Sequence, residues 1–435
     1  KGWTTYQITK QGKVINLVDI DDLGYPIYDA TENEVAAGTT RANKLYNGGG
    51  LGLNLNGSTI PNNKVAVWDG GAVLATHQEF SNGRVVLVDN VATSSHATHV
   101  AGTIAASGVY APAKGMAYGL PQLLSYDFNN DNAEISAIAA NLLLSNHSYG
   151  VVAGWSQNSD QGNRWEFYGR SGENEDYKFG YYDSKSQAWD NIAVNAPYYL
   201  LVKSGGNYRN NNGPAVGSTY YRYNSSNVMV NAGTRPSGIS SNDGYDIIGS
   251  YAGAKNILTV GAVNGLKYGA VSPSDIVISS FSAWGPTDDG RIKPDLVADG
   301  VNLTSSTNSG NSSYATSSGT SMAAPNATGT LVLLQELYYQ KNNAYLKSAT
   351  LKGLAISTTS EAGSALGPDY VFGWGLLNAE KAAKAILDKG TKSIISEQTL
   401  AQGQTYTTNV VASGDGPLIA TISWTDPAAT PVATS

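Results

Sequence analysis

The sequence predicts an α/β protein built on a doubly wound, mainly parallel β-sheet with helices on both faces. Short apolar runs of strand length alternate along the chain with longer helical stretches, which is typical of parallel sheets with helical crossovers. One of these runs also ends in a carboxylate and two glycines, as a buried strand does at its turn. The predicted strands are Val65–Trp68, Val85–Val88, Leu123–Tyr126, Leu142–Leu144, Tyr199–Val202 and Ile257–Val260, and the predicted helices are 97–107, 133–143, 184–195, 321–340 and 378–388.

The first of these strands leads into Asp69, which Gly70 and Gly71 follow. An aspartate at a strand end is commonly a turn or cap residue. In open α/β sheets, however, ligands bind beyond the carboxyl ends of the strands. Asp69 is therefore also a candidate site residue.

Two histidines, His96 and His99, lie three residues apart at the start of the next predicted helix. Such a pair can bind a metal, but tight sites need a third and a fourth ligand. The remaining histidines, His77 and His147, add no second cluster. We therefore interpret His99 as a packed or capping residue, and a metal site stays the weaker alternative.

A lone serine, Ser321, lies between Gly319 and an apolar helical run in the stretch Ser318–Pro325. Pro325 is expected in the first helical turn, where the missing amide has no partner to lose. Unpaired N–H groups and the helix dipole favour a developing anion near a helix start. Ser321 is thus a candidate nucleophile, and a simple helix cap is the alternative.

Asp69, His96 and Ser321 follow the chain order that the Asp-His-Ser triad has in subtilisin. On these three blocks the chain resembles the subtilisin-like serine peptidases, the subtilase family. The resemblance implies an endopeptidase that hydrolyses protein or peptide substrates through an acyl-enzyme, with no cofactor in the chemistry. It covers roughly residues 55–390, including the further segments Ala254–Ala262, Phe281–Pro286 and Lys293–Leu296.

The resemblance also implies an oxyanion donor and two substrate-binding walls. The oxyanion donor is Asn207, which follows an apolar strand and two glycines; an ordinary loop asparagine is the alternative. Family members pair an edge segment with extended substrate as an added strand. By family position, one wall is Ser148, Tyr149 and Gly150, and the opposite wall is Ser204, Gly205 and Gly206.

Two residues depart from the family pattern. Ala97 follows the catalytic histidine where the family usually has glycine, and Gly70 follows the aspartate where it usually has Ser or Thr. The missing hydroxyl at Gly70 removes a hydrogen bond that orients Asp69. The competing hypothesis is therefore a catalytically decayed binding module that keeps the fold.

Composition narrows the class of protein further. The 435 residues include no cysteine, which excludes disulfides and thiolate sites, and only 14% are charged, with a net charge of −7. No basic patch for nucleic acid and no membrane-spanning run is expected. Together with the family resemblance, this indicates a secreted, bacterial enzyme from which a signal peptide and an inhibitory propeptide have been removed.

Structural calcium is common in the family and stays open here. The turn after the His96 helix, 107–112, lacks the Asn-rich ligand loop often found there. Oxygen ligands are available elsewhere, although a plain acidic helix start explains the same residues. The candidate oxygens belong to Asp127, Asn129, Asp131 and Glu134.

Three regions are expected along the chain. Residues 1–55 form an N-terminal extension, and residues 56–390 form the catalytic domain with insertions at about 151–183 and 208–240. In residues 391–435, Tyr406–Val411 and Leu418–Pro427 show strand patterns around a glycine-rich turn. Resemblance to family members with C-terminal β-sandwich domains predicts that this hairpin opens such a domain, the rest of which is missing from this chain. The hairpin is then expected to dock on the catalytic domain or on a separate fragment.

Overall fold

The computed structural model describes residues 6–8, 14–20, 26–30, 33–412, 414 and 416–432. Its helices are α1 (Asn33–Thr39), α2 (Ser95–Ala105), α3 (Asp131–Ile138), α4 (Ser184–Asn195), α5 (Thr320–Asn342), α6 (Ser348–Ser357) and α7 (Ala379–Leu387). Its strands are β1 (Tyr6–Ile8), β2 (Val14–Ile20), β3 (Pro26–Ala30), β4 (Val65–Asp69), β5 (Val85–Leu87), β6 (Leu123–Asp127), β7 (Leu144–His147), β8 (Trp155–Asn158), β9 (Arg164–Phe167), β10 (Leu200–Ser204), β11 (Thr219–Tyr223), β12 (Met229–Thr234), β13 (Leu258–Val263), β14 (Leu296–Asp299), β15 (Leu303–Ser306) and β16 (Tyr314–Ser317).

A seven-stranded parallel sheet forms the centre of the protein, with the strand order β14-β13-β10-β7-β4-β6-β5. On one side of β4 the strands β7, β10, β13 and β14 follow outward in chain order, whereas on the other side β6 lies between β4 and the edge strand β5. Strands β4, β7 and β10 therefore lie side by side, and their carboxyl ends meet at one edge of the sheet. The predicted fold class is confirmed.

Alternate side chains of each strand enter different cores, because successive residues of a strand point to opposite faces. In β4, Val65 and Val67 join the core that contains α2 and α5. Ala66 and Trp68 join the core that contains α3 and α4 on the other face. Helices therefore cover both faces, as predicted.

The two segments predicted as insertions fold together. Strands β8 and β9 come from the first segment, β11 and β12 come from the second, and the four pair in the order β12-β11-β9-β8. A small aromatic core supports this sheet, with Trp155, Phe167 and Tyr220 buried in it. Trp155 and Ser156 of β8 line the same cavity as several of the predicted site residues.

The hydrophobic core continues across the predicted domain boundary near residue 55. Ala36, Ala37 and Leu45 are buried in the same core as Leu55 and α5. Residues 33–55 are thus packed as part of the central domain. Strands β1, β2 and β3 form a separate antiparallel sheet. Within the described ranges, the protein has no helix with the length and apolar character needed to cross a bilayer.

The C-terminal hairpin predicted within 406–427 is not formed. Described residues 391–412, 414 and 416–432 contain no strand, and Trp424 is exposed. Ser413 and Asp415 of the predicted turn lie outside the described residues. The segment instead contacts the central domain through Asp426, whose carboxylate pairs with Lys255 at 2.9 Å. Assignment of this segment to a β-sandwich domain stays a prediction.

Candidate active site

Asp69 and His96 are joined by a short hydrogen bond. Asp69 ends β4, and His96 lies in the first turn of α2, which Ser94 caps by accepting the amide of Ala97 at 3.3 Å. The Nδ1 of His96 donates to Asp69 Oδ1 at 2.7 Å. Since that bond uses Nδ1, Nε2 is left as the basic nitrogen. Burial acts to lower the pKa of His96, but the hydrogen bond and charge of Asp69 outweigh it and raise the pKa above 6.5.

The two departures from the family pattern have different structural consequences. The amide of Gly70 donates to Asp69 Oδ1 at 2.8 Å, whereas Asp69 Oδ2 is buried without a hydrogen-bond partner. A side chain at position 70 would meet the ring of Phe128 at 2.9 Å, so the ring takes the space of a Ser or Thr. Ala97 is fully buried in α2 and leaves the cap intact.

Ser321 is the second residue of α5 and is tied to Ser148 in both directions. Ser321 Oγ donates to the Ser148 carbonyl at 3.1 Å, and Ser148 Oγ donates to the Ser321 carbonyl at 2.9 Å. Pro325 lies in the second turn of α5, not in the first turn as predicted. Because proline has no N–H, it leaves the carbonyl four residues earlier, that of Ser321, without its helical partner. The hydroxyl of Ser148 replaces that partner.

Thr320 fixes the orientation of the Asn207 side chain. Asn207 Oδ1 accepts hydrogen bonds from the amide and the hydroxyl of Thr320, at 2.8 and 2.9 Å. The same hydroxyl accepts the amide of Gly206 at 3.1 Å. The Nδ2 end of Asn207 lies beside Gly319, where an added Cβ would come within 3.2 Å of it. The sequence analysis did not identify Thr320 as a site residue, although its position directly before Ser321 could have indicated it.

A cavity of about 260 Å³ brings Ser321, Thr320 and Asn207 together with the two predicted substrate walls. Both walls follow from the sheet, because 148–150 and 204–206 continue the adjacent strands β7 and β10. All six residues predicted to bind substrate line this cavity: Ser148, Tyr149, Gly150, Ser204, Gly205 and Gly206. The sequence analysis missed Lys203 and Tyr208, which line it too.

Comparison with known proteins identifies the family. The sequence profile of the subtilase family matches residues 87–375, which is more than half of the chain. The chain belongs to the subtilase family. Asp69 lies outside the matched range, so its assignment rests on the geometry described above.

Two bacterial relatives match shorter stretches of this subtilase. The C5a peptidase of Streptococcus pyogenes is 51% identical over 61 residues, which are 14% of this chain and 5% of that protein. The PII-type proteinase of Lactococcus lactis subsp. cremoris is 41% identical over 83 residues, or 18% of this chain and 4% of that protein. The matches thus span about a twentieth of the length of these relatives.

A solved structure, the CspB protease of Clostridium perfringens, has the same fold. It aligns with a TM-score of 0.57 and 15% identity, covering 82% of this chain and all of the other chain. At this identity the likeness establishes the fold alone.

Behind the cavity, a buried chain of hydrogen bonds fixes Tyr149 in this subtilase. Tyr149 donates to Asp131 at 2.8 Å and accepts from His147 Nδ1 at 3.0 Å. His147 Nε2 then accepts from Ser145 Oγ at 2.6 Å, and Ser145 in turn hydrogen-bonds with Tyr199. Burial, followed by the charge of Lys203, holds the pKa of His147 well below 6.5. The wall residue Tyr149 is therefore held by a buried hydrogen-bond network in which His147 is neutral.

His99 Nε2 and the acidic side chains proposed for calcium make hydrogen bonds within the protein. His99 Nε2 faces the carbonyl oxygens of Leu303 and Ala315 at 3.1 and 3.2 Å, as expected of a packed histidine. Asp127 accepts the amides of Gly71 and Asn129, and Glu134 accepts the indole N–H of Trp68 at 2.9 Å. Among the described residues, no three acidic, His or Cys side chains form a metal-binding group. Structural calcium at the four proposed residues stays a prediction.

The loop after α2 is held by a buried carboxylate. Glu79 accepts the amides of Gly108, Val109 and Tyr110 at 2.6, 3.1 and 2.8 Å. The hydroxyls of Ser107 and Tyr314 donate to the same carboxylate, at 3.1 and 2.7 Å. Four donors of the loop thus bind Glu79 directly, and Tyr314 of β16 holds the same carboxylate.

Proposed function

We propose that this subtilase is a serine endopeptidase that cleaves protein or peptide substrates through an acyl-enzyme. The observation that carries the proposal is the 2.7 Å hydrogen bond between Asp69 and His96, together with Ser321 in a cavity beside the oriented amide of Asn207. Acyl transfer needs a nucleophile, a base with an orienting partner, and oxyanion donors. Each of these roles has a residue in this site.

In the first step, Ser321 Oγ attacks the scissile carbonyl carbon and His96 Nε2 takes the hydroxyl proton. The carbonyl oxygen becomes an oxyanion, which Asn207 Nδ2 and the Ser321 amide stabilise. The tetrahedral intermediate collapses, and His96 gives its proton to the leaving amine. Water then attacks the acyl-enzyme by the same route and releases Ser321. Asp69 holds the His96 tautomer and stabilises the imidazolium throughout.

Substrate backbone is expected to free Ser321 for attack. In the structure, the Ser148 carbonyl accepts the Ser321 hydroxyl. An extended substrate that pairs with 148–150 as an added strand presents an amide N–H to that carbonyl. The hydroxyl of Ser321 then loses its acceptor and turns to His96. Catalytic hydrogen bonds of this kind commonly form only in the substrate complex.

The proposed setting is outside a bacterial cell, with a propeptide removed during maturation. Support comes from the bacterial peptidase relatives and from the absence of cysteine from the sequence. No cofactor enters the chemistry, since base, nucleophile and oxyanion donors are all protein groups.

A fluorophosphonate probe tests the proposal, because it forms a covalent bond only with an activated serine. The wild-type protein is expected to be labelled and to cleave casein, whereas Ser321→Ala loses both. Ser318→Ala is the matched control in the same motif, since Ser318 hydrogen-bonds to Asn302 outside the site. Labelling that survives in Ser321→Ala would place the nucleophile elsewhere. A folded wild-type protein that neither labels nor cleaves would favour the decayed binding module.

A further inference from the structure

Lys203 is a buried lysine on the cavity that holds Ser321. It lies in β10 opposite His147 of β7, and only 3% of its surface is exposed. Its Nζ lies 3.8 Å from the position that a Cβ of Gly150 would take, and Lys203 lines the cavity itself. The ammonium group is therefore placed at the wall next to the nucleophile.

No carboxylate neutralises this lysine at ion-pair distance within the described part of the chain. The other fully buried lysine, Lys293, differs, since its Nζ lies 2.7 Å from Asp295 Oδ2. A buried charge is costly unless it is paired. When protonated, Lys203 therefore places a cation beside the site with no carboxylate at ion-pair distance among the described residues.

The donors of Lys203 are only partly used. Its Nζ donates to the carbonyl and to the hydroxyl of Ser204, each at 2.8 Å. An ammonium group has three N–H donors, so one is left over for another acceptor. The other wall residues, such as Tyr149, Gly150 and Gly205, bring no charge. A ligand carboxylate is the group that completes this site.

We propose that Lys203 determines specificity, and that the cavity takes an acidic side chain on the substrate residue that supplies the scissile carbonyl. Glutamate or aspartate there completes an ion pair with Nζ, glutamine supplies only a neutral acceptor, and lysine or arginine is repelled. This inference rests on the proposed peptidase function and names the substrate class of that same site.

The preference is expected to depend on pH in a defined direction. Burial lowers the pKa of Lys203 to about 7, against the charge of Asp69, which raises it. The other titratable neighbours do not change charge near neutrality, since burial keeps the pKa of His147 well below 6.5 and that of Tyr149 well above 10. Lys203 is charged at pH values below its pKa. The preference for an acidic over a neutral substrate side chain is therefore greatest at low pH and is lost as the pH rises through about 7. The titration of His96 changes kcat/KM by the same factor for every peptide, so it does not affect the ratio of kcat/KM between two peptides.

The test measures kcat/KM for peptides that differ only at the residue before the scissile bond, with Glu, Asp, Gln, Leu or Lys. Wild type is expected to cleave the Glu or Asp peptide 10- to 100-fold faster than the Gln peptide at pH 6, as for a charge-assisted buried pair. The acid-to-Gln ratio should fall at least 10-fold by pH 9. Lys203→Met should bring the ratio at pH 6 to about 1 or below, whereas the control Lys255→Met, which removes a cation outside the cavity, should keep it.

Enzyme concentrations come from titration with the fluorophosphonate probe, so that only folded sites are counted. An enzyme that is labelled and cleaves the Leu or Gln peptide at least as well as the acidic peptides overturns the specificity inference and leaves the peptidase proposal standing. A protein that is neither labelled nor active on any peptide overturns both. If Lys203→Met does not fold, the ratio and pH dependence of the wild type decide the question.

Discussion

Thr320→Val tests whether the orientation of Asn207 matters for catalysis. Valine keeps the branched shape of threonine but lacks the hydroxyl that accepts from Gly206 and donates to Asn207 Oδ1. The Thr320 amide still donates to Asn207 Oδ1 at 2.8 Å, so the Asn207 side chain keeps one of the two hydrogen bonds that orient it. Two hydrogen bonds at about 1 kcal/mol each are lost, of which one acts on Asn207 directly.

We therefore expect kcat to fall about 10-fold, equivalent to about 1.4 kcal/mol, with KM within about 3-fold of wild type. Deleting an oxyanion donor outright costs about 10² to 10³, a range measured on subtilisin itself, which sets the upper limit. The assay is steady-state kinetics on a peptide substrate, with active sites titrated. Thr320→Ser keeps the hydroxyl and should restore kcat. The argument would be refuted if Thr320→Val kept the full kcat or changed only KM. It would also be refuted if Thr320→Ser did not restore kcat.

Three further results are expected. Asn207→Ala should lower kcat by about 10² or more with KM little changed, and a raised KM at constant kcat would instead make Asn207 a substrate-binding residue. Because Asp69 raises the pKa of His96 above 6.5 and the neutral imidazole is the base, kcat/KM for a Leu peptide should fall as pH drops through a midpoint above 6.5; a midpoint below 6.5 contradicts this. Glu79→Gln should lower the free energy of unfolding by about 2 kcal/mol or more, measured by denaturant titration, because it weakens five hydrogen bonds to a buried carboxylate; an unchanged midpoint would show that the loop is held otherwise.

Local sequence patterns predicted most of the central sheet, but strand β7 is a case in which they gave the wrong bounds. The apolar run Leu142–Leu144 was predicted as the strand, whereas the strand is Leu144–His147. Its polar residues are fully buried, which hydropathy opposes. They are tolerated because distant partners satisfy them: Thr328 donates to Asn146, and Tyr199 hydrogen-bonds with Ser145. Such partners are invisible to a periodicity argument.

Elements whose partners lie far away in sequence were missed for the same reason. Strand β9 pairs in parallel with β11, some fifty residues later, and no local turn signal indicates that pairing, although each strand also forms a local antiparallel hairpin with β8 or β12. The buried edge strand β14, which pairs with β13, was missed as well. The short hairpin β15–β16 was also missed, although its two strands are close in sequence. In contrast, the alternating pattern of 418–427 predicted a strand, but the segment has no strand partner among the described residues and most of its side chains are exposed.

The sequence by itself determined the chain order of Asp69, His96 and Ser321, the strand and helix ends that carry them, and hence the family and its type of chemistry. These are local signals: a buried run ending in a carboxylate, or a serine at a helix start. Only the tertiary structure decided how Thr320 turns Asn207, how Ser148 holds Ser321, and that Lys203 has no carboxylate partner. Those facts depend on contacts between residues more than a hundred positions apart, or on the burial of a charge, and both arise only when the sheet brings its carboxyl ends together.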